Sequence, residues 1–148
     1  MRKRSSVSLG LVLVAALAAP VGAALMYRSQ TVVAVPEPGR EVPLEKLVYK
    51  ARFEAKVSSM RLELRSNEGS GPVQGEWIFT GSNTDGQIHR VEMQLRLRDE
   101  SGQQIAFFSA RNVLAAGARD HKFSVPMKVS ADVWKAAKSI RIFADWIT

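Results

Sequence analysis

A chain of 148 residues, 46% hydrophobic and 24% charged, is sized and composed for one folded domain plus a targeting segment. It has no cysteine, which excludes disulfides, thiolate metal sites, cysteine nucleophiles and a lipid-modified N-terminal cysteine. The net charge of +7 and pI near 10.1 suggest nucleic-acid binding at first sight. However, Arg2, Lys3 and Arg4 hold three of the 21 basic residues ahead of any fold; the 18 that remain, against 14 acidic residues, leave +4 with no polybasic run, and nucleic acid is not expected as a partner.

From Val7 to Met26 the chain carries no charge and is mostly Leu, Val and Ala. A basic end ahead of an apolar run is the pattern of a secretory signal, and it places the C-terminal domain outside the cytoplasm. Small residues at Ala16, Ala18 and Ala23 offer cleavage sites that would release a soluble protein. Against release, the run is 20 residues long, the length of a spanning helix rather than of the usual ~7–15-residue signal core. Residues 1–28 are therefore read as a hydrophobic helix serving as signal peptide or N-terminal membrane anchor. The protein is read as exported, periplasmic or cell-surface, either released or anchored in the inner membrane by residues 7–26. Residues 29–47, with Pro36, Pro38, Gly39 and Pro43, read as an extended linker.

The folded domain is expected over residues 48–148. Tyr49, Ala51, Phe53, Ala55 and Val57 alternate with Lys50, Arg52, Glu54 and Lys56, a period of two that argues for a strand. A helix from near Pro43 competes, using Leu44, Leu47, Val48, Ala51 and Ala55, but leaves Phe53 and Val57 off its face. After Ser58-Ser59 the phase shifts to Met60, Leu62 and Leu64, so a bulge or sharp bend is expected at the serines. Ser66 to Gly75 reads as a loop, and Glu76 to Gly81 as a strand with Trp77 and Phe79 on one face. Ser82 to Gln87 has the composition of a turn.

Val91, Met93, Leu95 and Leu97 mark the clearest strand, with Arg90, Glu92, Gln94, Arg96 and Arg98 on its other face. Asp99 to Gly102 is expected to close a tight hairpin into a strand near Gln103–Arg111, with Ile105 and Phe107 inward. Phe123, Val125 and Met127 give the next strand. Ser130 suits an N-cap for a short helix with Val133, Trp134 and Ala137 inward, and Ile140, Ile142, Ala144 and Trp146 give the last strand. Short strands separated by turns predict an all-β fold: an immunoglobulin-like antiparallel β-sandwich with one short helix before its last strand.

The stretch Gly75 to Asn83, followed by Leu95-Arg96-Leu97-Arg98-Asp99-Glu100-Ser101-Gly102, resembles the FxLYD-type domains of exported prokaryotic proteins. The likeness covers about Val57 to Trp146; Leu95 and Arg98 stand where that family has its Phe and Tyr. It implies an extracytoplasmic immunoglobulin-like sandwich and no catalytic residue.

Chemistry-bearing patterns are sparse. His89 and His121 are the only histidines, 32 residues apart, with no His-Glu-x-x-His and no carboxylates at ligand spacing, so no metal site is expected. No serine sits in a nucleophile elbow and no glycine-rich loop opens a helix, so neither catalysis nor a cofactor is expected. Trp77, Trp134 and Trp146 fall in phase with apolar neighbours and are read as core rather than as a sugar platform. The remaining candidate surface is Arg90, Arg96 and Arg98, which share a strand face. Two functions compete. The first is a non-catalytic interaction or assembly module that binds an envelope protein. The second is a domain that binds an anionic polysaccharide or lipid headgroup through those arginines.

Overall fold

A strand with one apolar face is stable only when its backbone is paired and that face is covered, so the alternating segments are found in antiparallel ladders. The computed structural model describes residues 25–49, 54–65 and 71–147. In chain order the elements are β1 (Leu25–Ala34), β2 (Glu41–Pro43), β3 (Val48–Tyr49), β4 (Ala55–Leu64), β5 (Val73–Asn83), β6 (His89–Arg98), β7 (Gln104–Leu114), β8 (His121–Val129), α1 (Ala131–Ala136) and β9 (Ser139–Ile147). They form two sheets. One has the order β1-β9-β6-β7; the other has the order β2-β4-β5-β8, with β3 also paired to β4. The fold is all-β and antiparallel, with a single short helix before the last strand among the described residues.

Both sheets send their apolar faces into one core. Met60, Leu62, Trp77, Phe79 and Val125 come from one sheet, and Val91, Met93, Leu95, Leu97, Ile140, Ile142 and Trp146 from the other. Trp77 and Trp146 are among the largest fully buried side chains. The half-buried Trp134 of α1 lays its ring 6.2 Å from that of Trp77. Ser130 caps α1, its hydroxyl accepting from the Val133 amide.

Local devices fix the register. The β4–β5 ladder slips between Val57 and Ser59, so Ser58 is extra and Met60 returns to the core, as the phase shift at the serines requires. The turn after β6 is closed by Gly102 N–H donating to the Asp99 carbonyl at 3.0 Å, and Gly102 takes φ +85°, a conformation glycine adopts without a side-chain penalty. Asn83 is fully buried between two loops; its amide donates to the carbonyls of Gln87, Leu114 and Ala115, while its oxygen accepts from the Asp85 amide.

The structure corrects several sequence expectations. Residues 29–47 are not simply a spacer: β1 runs to Ala34 in a continuous ladder with β9, and β2 pairs with β4. The prolines that give this segment its spacer-like composition, Pro36, Pro38 and Pro43, all lie after β1. The apolar run expected to end at Met26 gives up Leu25 and Met26 to β1; its remainder, like most of the expected 1–28 segment, lies outside the described residues. Of the strand expected over 49–57, residues 50–53 also lie outside, while Tyr49 ends β3 and Ala55 begins β4. The loop expected to reach Gly75 ends earlier, because β5 begins at Val73. Phe107 points outward rather than inward. The β6–β7 register shifts opposite Leu97 and Arg98, which makes Ile105 the extra residue and reverses the phase beyond it, so Ala106, Phe108 and Ala110 pack on the core.

Candidate functional site on the outer face of the first sheet

The three arginines named from sequence lie on β6, an inner strand flanked by β9 and β7. Register then brings residues of four strands into rows on the face turned away from the core. One row runs Arg28, Asp145, Glu92, Arg111 across β1, β9, β6 and β7. The next is Gln30, Phe143, Gln94, Ser109, and the one beyond is Val32, Arg141, Arg96, Phe107.

The first row is charge-compensated. Arg28 grips Asp145 with two hydrogen bonds, Nε to Oδ1 at 2.6 Å and a terminal nitrogen to Oδ2 at 2.8 Å. Arg111 Nε donates to Glu92 at 3.0 Å, and the Gln94 amide bridges Glu92 and Asp145 at 3.4 and 3.1 Å. The hydrogen bonds that Arg28 donates to Asp145 raise the Arg28 pKa above its ordinary value, against the opposing pull of burial. Two cations and two carboxylates close this network, leaving it no charge to offer a ligand.

The Arg141–Arg96 row differs. The two arginines are direct cross-strand partners, and the Nε of each is buried with no hydrogen-bond acceptor. Among the described residues neither forms a salt bridge. Their setting is apolar: the Arg96 guanidinium lies 4.7 Å from the centroid of the Phe143 ring, which Arg28 approaches at the same distance, and Val32 and Phe107 end the row with large exposed surfaces. Paired arginines beside aromatic rings can hold a carboxylate, sulfate or phosphate oxygen through fork-shaped donors.

The sequence-named residues therefore separate. Arg96 belongs to the uncompensated row. Arg98 turns back on the hairpin, its Nε donating to the Gly102 carbonyl at 2.9 Å. Arg90 is exposed at the far end of β6, between Ile147 and Val113. They share a face but not a cluster. Sequence reasoning missed Arg141 and Phe143. The only available signal was the outward phase Arg141, Phe143, Asp145 in the last strand, and nothing in the sequence tells that β9 lies beside β6.

The other candidates take structural roles. His89 Nε2 lies 2.9 Å from Asp85, with its ring 5.0 Å from that of Tyr49; His121 stacks on Phe123. Among the described residues no three His, Cys, Asp or Glu side chains gather as a metal site would need. Trp77 and Trp146 are core, not platform. Comparison with protein-family models, curated proteins and solved structures finds no match to this chain.

Proposed function

We propose that the protein is a non-catalytic interaction module of the cell envelope, exported behind its N-terminal segment, that binds a partner protein by adding a strand to the free edge of β7. The observation that carries this reading is that edge. β7 is 11 residues long, pairs with β6 alone among the described residues, contains no proline and exposes Phe107 and Val113. The other sheet has both edges blunted, one by Pro126 in β8 and the opposite one by the short β2 and β3 along β4. Sheet edges left open in this way recruit strands, and native proteins usually guard them.

The strand order supports an immunoglobulin-like reading. β4, β5 and β8 correspond to strands A, B and E of that fold, and β6, β7 and β9 to C, C′ and F, with the chain crossing between sheets after β5, β7 and β8. The place of the last strand, beside F, is taken here by β1 from the other end of the chain. The resemblance of residues 57–146 to FxLYD-type domains fits this proposal.

The test is capture from envelope membranes by the tagged full chain. Lysines at exposed edge positions, Phe107→Lys with Ser109→Lys, should abolish capture of a partner that wild type retains at high salt. A second reading, binding of an anionic polysaccharide or lipid headgroup, is favoured by the uncompensated Arg96–Arg141 pair. It gains if association is salt-sensitive and survives the edge change but not the loss of those arginines.

A further inference from the structure

Six large hydrophobic side chains are exposed among the described residues, and they are not scattered. Val32 and Phe107 belong to the arginine row described above. The other four, Met26 (54% exposed), Tyr27 (48%), Ile88 (60%) and Val113 (50%), all lie at one end of the first sheet. Register fixes this: Leu25 pairs with Ile147, Ile147 with Arg90 and Arg90 with Val113, so the last row crosses all four strands. At an interstrand spacing near 4.8 Å that row is about 14 Å wide. Ile88 immediately precedes β6, and Met26 and Tyr27 follow Leu25. Tyr49 packs beneath them, its ring 6.2 Å from Tyr27 and its hydroxyl 4.0 Å from the Met26 sulfur. The loop after β7 folds to the same end, where the Gly117 amide donates to the Asp85 carbonyl. Arg90 and Arg119 are exposed there, with no salt bridge among the described residues.

We infer that this end of the first sheet is a membrane-docking surface, seated at the headgroup level of an anionic bilayer by Met26, Tyr27, Ile88 and Val113 and flanked by Arg90 and Arg119. The inference rests on the exported reading above, taken in its anchored rather than its released form, and adds what the folded domain does there. Where the chain comes from decides the occupant. The uncharged run from Val7 reaches β1 without a break: Leu25 is already in the ladder with Ile147. The 18 uncharged residues from Val7 to Ala24 that precede β1 fall within the range of about 17–25 that crosses a bilayer core of about 30 Å. If they span, no linker separates membrane from sheet, and the last row has to sit in the interface. Apolar and aromatic side chains with nearby arginines are what that interface favours.

The absence of cysteine makes the test direct. Single cysteines replace exposed side chains in the full chain: Ile88→Cys and Val113→Cys at the proposed surface, Phe107→Cys and Glu37→Cys away from it. Phe107 lies six residues up the strand from Val113, about 20 Å at 3.4 Å per residue. Each variant is spin-labelled and reconstituted into vesicles of phosphatidylethanolamine and phosphatidylglycerol. Retention of the chain by the vesicles is measured by alkaline extraction. Labels at 88 and 113 should then show collisions with a water-soluble nickel chelate reduced several-fold relative to 107 and 37, with oxygen collisions raised. A chain that is retained but shows equal chelate access at all four positions overturns the docking surface alone. A chain that is extracted overturns the tether, and the docking surface with it.

Discussion

Arg96 and Arg141 stand directly opposite each other across the β6–β9 ladder, and the Nε of each is buried without a hydrogen-bond acceptor. Like charges in that relation oppose folding by a fraction of a kcal/mol, and the compensated Arg28–Asp145–Glu92–Arg111 row lies two rows away. Such an arrangement costs stability unless something else accounts for it.

Arg141→Gln should therefore leave stability unchanged or raise it by about 0.5 kcal/mol, as removal of an opposed like charge implies. Urea unfolding measures this. Salt-sensitive association with anionic vesicles or polysaccharide, where wild type has it, should weaken in the same variant. A stability loss above about 1 kcal/mol, outside the usual range for surface changes, would make Arg141 a structural residue and remove the basis of the anion reading.

The tryptophans give the sharpest contrast. Trp77 and Trp146 are enclosed by both sheets, so Trp77→Ala or Trp146→Ala should cost about 3–5 kcal/mol. Against a typical total of about 5–15 kcal/mol, either variant should be badly weakened or unfolded. Thermal and urea melts read this out. Trp134 is only half-buried and should cost less than either.

What the sequence showed and what it hid divide along one line. Alternation located β5, β6, β8 and β9, the bulge at the serines, the capped helix and the hairpin at Asp99–Gly102, because each depends on neighbours within about ten residues. Gly75 and Asn83 have specific reasons that reach beyond such neighbours. A Cβ at Gly75 would collide with the Glu63 backbone oxygen, and the Asn83 side chain ties two loops together. Hidden was everything set by which strand lies beside which. β1 pairs with β9 more than a hundred residues later, so neither the Arg28–Asp145 grip nor the Arg96–Arg141 juxtaposition leaves a local pattern. Ile105 shows the same limit on a smaller scale, since one extra residue reversed the outward and inward faces of β7.

Arg28 also tests how β1 is held. Among its described side chains only Ser29 is buried; Thr31 and Val33 are half-buried, so the ladder and the Arg28 grip carry most of its attachment. Arg28→Ala would strand Asp145, whose side chain is 8% exposed, with Gln94 as its remaining hydrogen-bond donor. The expected cost is about 1–3 kcal/mol, and nearer the lower figure because the Arg28 side chain is 40% exposed. Arg28→Lys keeps the charge but not the two-pronged geometry and should fall between. Amide exchange should quicken along β1 before it does in β6.

The turn at Asp99 provides a pH dependence whose sign can be worked out. Its carboxylate accepts from the Ser101 hydroxyl at 2.7 Å and from the Gln103 amide at 3.0 Å, and these bonds lower its pKa from the ordinary value of 3.8. A group with a depressed folded pKa adds stability above its unfolded value and loses it as pH falls through the folded one. Protection of the Gln103 amide should therefore hold at neutral pH and fade only below the ordinary carboxylate range. Asp99→Asn keeps a side chain suited to the turn but cannot ionise, so the acid-side loss should disappear while the hairpin still forms. Because Asp99 sits half-buried in a surface turn, the effect should be confined to the hairpin rather than spread through the fold. Carboxyl titration by NMR, read beside Gln103 exchange in both proteins, checks the assignment. An Asp99 pKa at or above its ordinary value, or identical acid dependence in the asparagine variant, would show that these hydrogen bonds do not hold the turn.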